Sequence, residues 1–269
     1  MANFLSVKSF SGLNKLSVNP CKLLDFQLLN LGDAEPFEGE SGSRELLAVL
    51  LGGQATFTVG DQLFERVGGR PNVFAGKPHA VYIPCQTGYT IQGVGGVEIG
   101  LISAPSDLLS APYVIPPEKV TESVCGAANF KSRSHKILTL SGQPELPARR
   151  LIVGESFIPS GNWGTYPPHR HQKDDLPREA ALEEMYFFKV NPADGFGLCR
   201  QYNDEIDSAF VVREDTILMA PDGYHTVVSA PGYTTYVLWF LAGSQRVMAA
   251  ADDPAFAWVS RTVPMLNQQ

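Results

Sequence analysis

Charge is scarce in this chain of 269 residues: Asp, Glu, Lys and Arg together make up 18%, against roughly a quarter in ordinary soluble domains. What charge there is leans negative, with 28 acidic residues against 21 basic ones and a net charge of −7. No basic field exists to release phosphate counterions, which excludes nucleic acid as a partner. Long apolar runs are missing too. The longest, Tyr236–Ala242 (YVLWFLA), falls far short of the ~20 residues a spanning helix needs, so no membrane association is expected. The opening MANFLSVKSFSGLNKL is interrupted by Lys8 and Lys15 and offers no signal-peptide core. Cysteine is sparse: Cys21, Cys85, Cys125 and Cys199 are scattered without a CxxC pair. That reads as free thiols in a reducing compartment, and the expected location is the cytoplasm. A hydrophobic content of 44% excludes disorder and suffices for one large domain or two small ones.

Helix-period spacing is equally rare. Short β-branched and aromatic runs recur instead between Gly and Pro, which number 25 and 20: Glu45–Leu51, Ala55–Val59, His79–Ile83, Gly96–Ile102, Arg150–Phe157, Met185–Val190, Phe210–Val212, Thr216–Met219, Thr226–Val228 and Thr234–Leu241. Such punctuation predicts an all-β barrel or sandwich, with short helical pieces only over Ser244–Ala251 and Asp253–Val259. The two halves also resemble each other. Glu45-Leu-Leu-Ala-Val-Leu-Leu parallels Glu184-Met-Tyr-Phe-Phe-Lys-Val, and Tyr82-Ile-Pro84 with Gly88-Tyr89-Thr90 parallels Met219-Ala-Pro221 with Gly223-Tyr224-His225. Pro84 and Pro221 lie 137 residues apart, Glu45 and Glu184 139. A near-constant offset implies duplication of one β-module, with the boundary within 105–149.

Chemistry concentrates in the second half. In Thr165-Tyr-Pro-Pro-His169-Arg-His171, a strand would turn both imidazoles to one face and Arg170 to the other, so that both reach one metal ion. Glu184 opens an apolar strand, and His225 opens another after the Pro221-Asp-Gly223 turn. Three imidazoles and a carboxylate form an N/O set suited to Zn²⁺, Mn²⁺, Fe²⁺ or Ni²⁺.

The arrangement resembles the cupin motifs: a glycine ahead of HxH, then a carboxylate, then PxG ahead of a third histidine. It departs in Gln172–Glu183, where a cupin has a short connection, so either this is an inserted loop or Glu179 replaces Glu184 as ligand. Glu184 is favoured because it directly precedes the apolar strand. Glu45 holds the same place in the first half, while Thr90 stands there for His225. The first half is accordingly expected to hold no metal of its own, with His79 structural.

More specifically, Trp163-Gly-Thr-Tyr-Pro-Pro-His-Arg-His171, Leu182-Glu-Glu-Met-Tyr-Phe-Phe188, Gly195-Phe-Gly197 and Ala230-Pro-Gly-Tyr233 resemble the 5-deoxy-glucuronate isomerases of inositol catabolism (IolB), relatives of the 5-keto-4-deoxyuronate isomerases. The resemblance implies an all-β bicupin: two double-stranded β-helix (jelly-roll) barrels, with residues 1–125 a degenerate barrel and 126–269 the metal-binding one. It implies a divalent metal, zinc foremost, on His169, His171, Glu184 and His225. It also implies an intramolecular oxidoreductase acting on a sugar acid, aldose to ketose, whether as a monomer or a homo-oligomer. Tyr186 and Glu183 are the candidate catalytic base, Tyr186 by strand parity and Glu183 by chemistry. Arg150 and Arg200, with Arg170 less well turned, are candidates for the substrate carboxylate. The 172–183 insertion is expected to be a mobile polar loop over the barrel mouth. A cupin dioxygenase and a non-catalytic sugar-binding cupin use the same ligand set and remain the alternatives.

Overall fold

The computed structural model describes residues 3–33 and 36–267, and these are organised almost wholly as antiparallel strands. Four sheets form two jelly-roll modules. In the N-terminal module a six-stranded sheet runs in the order β11 (Tyr113–Ile115), β8 (Ala80–Ile83), β5 (Arg44–Gly52), β10 (Val97–Pro105), β3 (Asp25–Leu31), β2 (Gly12–Lys15). It is paired with a four-stranded sheet, β4 (Phe37–Glu40), β9 (Gly88–Gly93), β6 (Gln54–Val59), β7 (Gln62–Gly68). The C-terminal module has a seven-stranded sheet: β1 (Phe4–Ser6), β19 (Thr216–Ala220), β16 (Leu182–Asn191), β21 (Thr234–Gly243), β14 (Ile152–Ile158), β13 (Ser132–Leu138), β12 (Thr121–Cys125). Its partner has five strands: β18 (Asp207–Val212), β17 (Gly197–Tyr202), β20 (Tyr224–Ser229), β15 (Trp163–Arg170), β22 (Ala251–Asp252).

The two large sheets pack back to back, and this explains why their central strands are apolar at nearly every position rather than at alternate ones. Alternate residues of β16 enter different cores: Tyr186, Phe188 and Val190 fill the C-terminal barrel, whereas Met185 and Phe187 join Leu47, Val49, Phe26, Tyr236 and Leu238 between the modules. On β5, likewise, Leu46, Ala48 and Leu50 face the N-terminal barrel. This parity decides which side chains can reach a site inside a barrel.

Polar groups are also built into the seam between modules. Glu155 on β14 receives both guanidinium nitrogens of Arg70 at 3.0 Å and the Tyr236 hydroxyl at 2.9 Å, and it lies 2.8 Å from His135 Nδ1. Two carboxylate brackets join the modules. Glu45 accepts the backbone N–H groups of Arg149, Arg150 and Leu151 at 2.6, 2.6 and 2.9 Å, just ahead of β14. Glu183 accepts those of Lys22, Leu23 and Leu24 at 2.8, 2.7 and 3.2 Å, just ahead of β3. Each module thus grips the chain that enters the other one.

Two expectations need correction. Division of the chain at residue 125 does not follow the sheets, because β1 pairs with β19 and β12 with β13, both in the C-terminal sheet. β1 crosses to cap the C-terminal sheet in the way β11 caps the N-terminal one. Nor are Ser244–Ala251 and Asp253–Val259 helical. The first is irregular and ends in β22, whose Asp252 pairs with His169. The second is a chain of turns closed by Phe256 N–H to Asp253 O and Val259 N–H to Phe256 O. The α-helix found nearby, Val263–Leu266, has four residues. The apolar spacing there serves packing on the outside of the barrel, where Val259, Val263 and Leu266 meet Phe130, Trp163 and Tyr166.

Candidate metal centre

Strand pairing assembles the candidate ligands. His169 lies on β15 directly across from His225 on β20, and His171 follows one residue beyond the end of β15. Glu184 comes from β16 in the facing sheet. Gly223 turns the chain into β20 with φ +84, and a Cβ there would lie 2.8 Å from the carbonyl oxygen of Tyr202. Glycine is therefore required just where His225 is aimed inward. The ligand atoms of His169, His171, Glu184 and His225 all lie within 4.8 Å of one another.

His225 Nε2 is 2.8 Å and His171 Nε2 3.5 Å from Glu184 Oε2, yet these three buried atoms lack a hydrogen-bond partner. The opposite ring nitrogens are engaged: His171 Nδ1 lies 3.1 Å from the Ala249 carbonyl and His225 Nδ1 3.4 Å from that of Gly223. This leaves each Nε2 lone pair turned to the shared point, as in metal-bound histidines whose other ring nitrogen is held by a carbonyl. Burial keeps the imidazoles neutral, holding His169 down at about 3 and His225 at about 4, with His171 also lowered. Burial pushes the Glu184 carboxyl up. Orphaned lone pairs on neutral rings around one carboxylate are a misfit for a dry core and fit a divalent cation.

Of these residues His169 and Glu184 line a cavity of about 190 Å³ inside the C-terminal barrel. Tyr186 lines it, as the parity of β16 requires, with its hydroxyl beside the Glu184 carboxylate and the Thr165 hydroxyl. Burial and the Glu184 charge raise the phenol well above its ordinary value, so it keeps its proton. Sequence reading overlooked Thr165. It lines the cavity with φ +56, a conformation that is an outlier for a β-branched residue and persists only where the surroundings impose it. A lone threonine carries no signal of this in the sequence.

The remaining candidates lie elsewhere. Glu183 faces away from the cavity, with its carboxylate engaged in the bracket on residues 22–24. Arg150 is bound to the carbonyls of Pro105 and Gly243 in the seam. Arg200 projects outward and forms a two-nitrogen pair with Asp207 at 2.8 and 2.7 Å. Arg170 stacks on Tyr224 outside the barrel. Glu179 is excluded as the alternative ligand, because it folds the insertion back on itself by accepting the N–H groups of Gln172 and Lys173 at 2.7 and 3.0 Å. Among the described residues, none of 172–183 lines the cavity, and Glu179 pins the insertion at its base.

The counterparts in the first module also shift. Leu46 pairs with Ile83 as Glu184 pairs with Ala220, so Glu45 corresponds to Glu183 and Leu46 to Glu184. Across β4 and β9, Gly39 faces Tyr89 as His169 faces His225, and Thr90 is not turned into the barrel. The Tyr89 ring occupies the space, lying 2.4 Å from where a Cβ on Gly39 would be. An aromatic and aliphatic plug of Tyr89 and Leu46 stands where the second module has its four candidate ligands.

Residues 13–259 match the model of the KduI/IolB family. The chain is 37% identical over 237 residues to a 5-deoxy-glucuronate isomerase of Geobacillus kaustophilus, covering 87% of this chain and 84% of that protein. An IolB-like protein from Salmonella typhimurium superposes with a TM-score of 0.90 at 27% identity, over 96% of this chain and 99% of the other. The oxalate decarboxylase of Lactobacillus farciminis aligns with a TM-score of 0.65 at 11% identity, over 94% and 88%. At that identity it speaks for the cupin fold alone.

Proposed function

The chain belongs to the KduI/IolB family, and from that premise we propose that it is a 5-deoxy-glucuronate isomerase, as its Geobacillus relative is named. The product would be 5-dehydro-2-deoxy-gluconate, a step in inositol breakdown. The observation that carries this reading is the convergence of four ligand groups, three of them with buried atoms that lack a hydrogen-bond partner, beside a cavity lined by His169 and Glu184. His169, His171, Glu184 and His225 would hold a divalent cation, zinc foremost, with Mn²⁺, Fe²⁺ and Ni²⁺ also compatible with the N/O set. Bound there, the cation supplies Lewis acidity to the substrate's C1 carbonyl and C2 hydroxyl.

Isomerisation transfers one proton from C2 to C1 and another from O2 to O1, with no net oxidation. Tyr186 is suited to the oxygen-bound proton, since its hydroxyl stands beside Glu184 and stays protonated. The cavity walls contributed by Ile158, Val227 and Val237 keep bulk water from the reacting carbons. Four free cysteines support a location in a reducing compartment, the cytoplasm. No helix of the described residues is long and apolar enough to cross a membrane.

Turnover of 5-deoxy-glucuronate under anaerobic conditions tests the reading. Formation of the ketose without oxygen is expected. Inert substrate, or a reaction that stops when oxygen is withdrawn, would overturn it in favour of a binding protein or a dioxygenase.

A further inference from the structure

The wall of the cavity away from the ligands carries a hydrogen-bond chain with a defined direction. Trp239 Nε1–H donates to Ser156 Oγ at 2.9 Å, the Ser156 and Ser134 hydroxyls are 2.9 Å apart, and Ser134 donates to the carbonyl oxygen of Glu155 at 3.1 Å. A hydroxyl has one proton and two acceptor positions. The Ser134 proton is spent on Glu155 O, so the bond between the serines uses the Ser156 proton. Neither serine then has a proton left for the cavity it lines, while each keeps one lone pair.

The chain is held in place by close packing. Gly154 leaves the room that the Trp239 ring fills, because a Cβ there would lie 2.1 Å from the ring. The cross-strand pair Ser134↔Ser156 sits between β13 and β14. Ser132 and Cys125 line the cavity beside these serines, together with Ile158, Val237 and Trp239, and among the described residues no Lys or Arg lines it.

Two hydroxyls whose protons are already engaged, on a wall without cations, offer little to a carboxylate, which is itself acceptor-only. They suit a hydroxyl that donates. We infer that Ser134 and Ser156 are specificity-determining residues that read a hydroxyl of the sugar acid lying beyond its two reacting carbons. The inference deepens the isomerase reading and rests on it. With C1 and C2 at the ligands, the remaining hydroxyls of 5-deoxy-glucuronate are those on C3 and C4. The C5 methylene has no donor to offer and matches the apolar part of the wall. The C6 carboxylate is directed away from the serines. Sites that hydrogen-bond a substrate hydroxyl discriminate against analogues lacking it far more strongly than apolar pockets discriminate by size.

The experiment compares wild type, Ser134→Ala and Ser134→Thr on three sugars: 5-deoxy-glucuronate and its 3,5-dideoxy and 4,5-dideoxy analogues. Metal content and calorimetric binding of the alditol acid, obtained by reducing the C1 aldehyde so that it cannot isomerise, are measured alongside. In Ser134→Ala, kcat/KM for 5-deoxy-glucuronate and affinity for the alditol should each fall about tenfold or more at unchanged metal content, with Ser134→Thr recovering most of the loss. For one of the two dideoxy analogues wild type and Ser134→Ala should perform alike, since the hydroxyl that is read is already gone. An equal loss on all three sugars, or none on the first, would overturn the inference. Ser134-dependent binding of the alditol by a wild type that turns over no aldose would support it while overturning the isomerase reading. A wild type that binds no alditol would overturn both.

Discussion

At the scale of single residues the site depends on neutrality. His169, His171 and His225 are useful because burial keeps them unprotonated, and that has a pH consequence for the metal-free protein. In the unfolded chain these groups titrate near 6.5, whereas His169 and His225 titrate at about 3 and about 4 when folded. Between those values the unfolded state binds more protons, so stability rises with pH through this window and is fully present above 6.5. Urea midpoints of the chelated protein should therefore fall on acidification from pH 6.5 toward 4, and fall less in a His169→Gln/His225→Gln variant. A midpoint equally flat in both would contradict the assigned environments. For the metal itself, His169→Ala or His225→Ala should remove stoichiometric metal and activity together while the circular dichroism of the β fold persists. Full metal occupancy in either variant would remove that residue from the ligand set. The candidate ligands were legible because strand alternation is a strong rule: HxH, and Glu184 with Tyr186, share their faces as period two demands. The arginines were not, because an isolated Arg has no periodic partner, and Arg150, Arg170 and Arg200 all proved to be engaged in local bonds outside the cavity.

At the scale of elements, a strand buried on both faces conceals its register. The runs at β5 and β16 look alike, and aligning their glutamates sets Glu45 against Glu184. A slip of one residue reverses the face of every side chain. The pairings instead match Glu45 with Glu183, and the match is chemical as well, since each carboxylate closes a bracket on three backbone N–H groups of the opposite module. Charge-assisted bonds of this kind contribute about 1.5–3 kcal/mol each, and unmet amides cost about 1–3 kcal/mol. Glu45→Gln and Glu183→Gln should each lower unfolding stability by about 1–3 kcal/mol in urea titrations, with metal stoichiometry retained. Loss of metal from Glu183→Gln with stability intact would place this carboxylate in the metal centre instead. The strands flanking the insertion were well placed by the sequence pattern, whereas the fold of the insertion depends on Glu179 reaching back to Gln172 and Lys173, a contact that no local pattern announces.

At the scale of the whole molecule, the two modules share one continuous core and a buried polar cluster, so the first acts as the wall against which the second is built. Arg70 and Glu155 form a pair with side chains 3% and 0% exposed. Removing one partner of such a pair leaves an uncompensated charge and costs about 3–5 kcal/mol. Arg70→Met should therefore destabilise the entire protein by that order in one cooperative transition. A second, separate transition would show the modules to be independent. The duplication was readable from the spacing of Pro84 and Pro221, but the crossing of β1 to the C-terminal sheet was not, because a three-residue edge strand carries too little pattern to stand out. The central claim is that one module carries the metal centre while Tyr89 and Leu46 plug the other. An anomalous-scattering map from crystals of protein purified without added metal tests it most directly. The account predicts one transition-metal peak per chain, about 2.0–2.2 Å from the ligand atoms of His169, His171, Glu184 and His225. No peak there, or a peak inside the N-terminal barrel beside Tyr89, would contradict it.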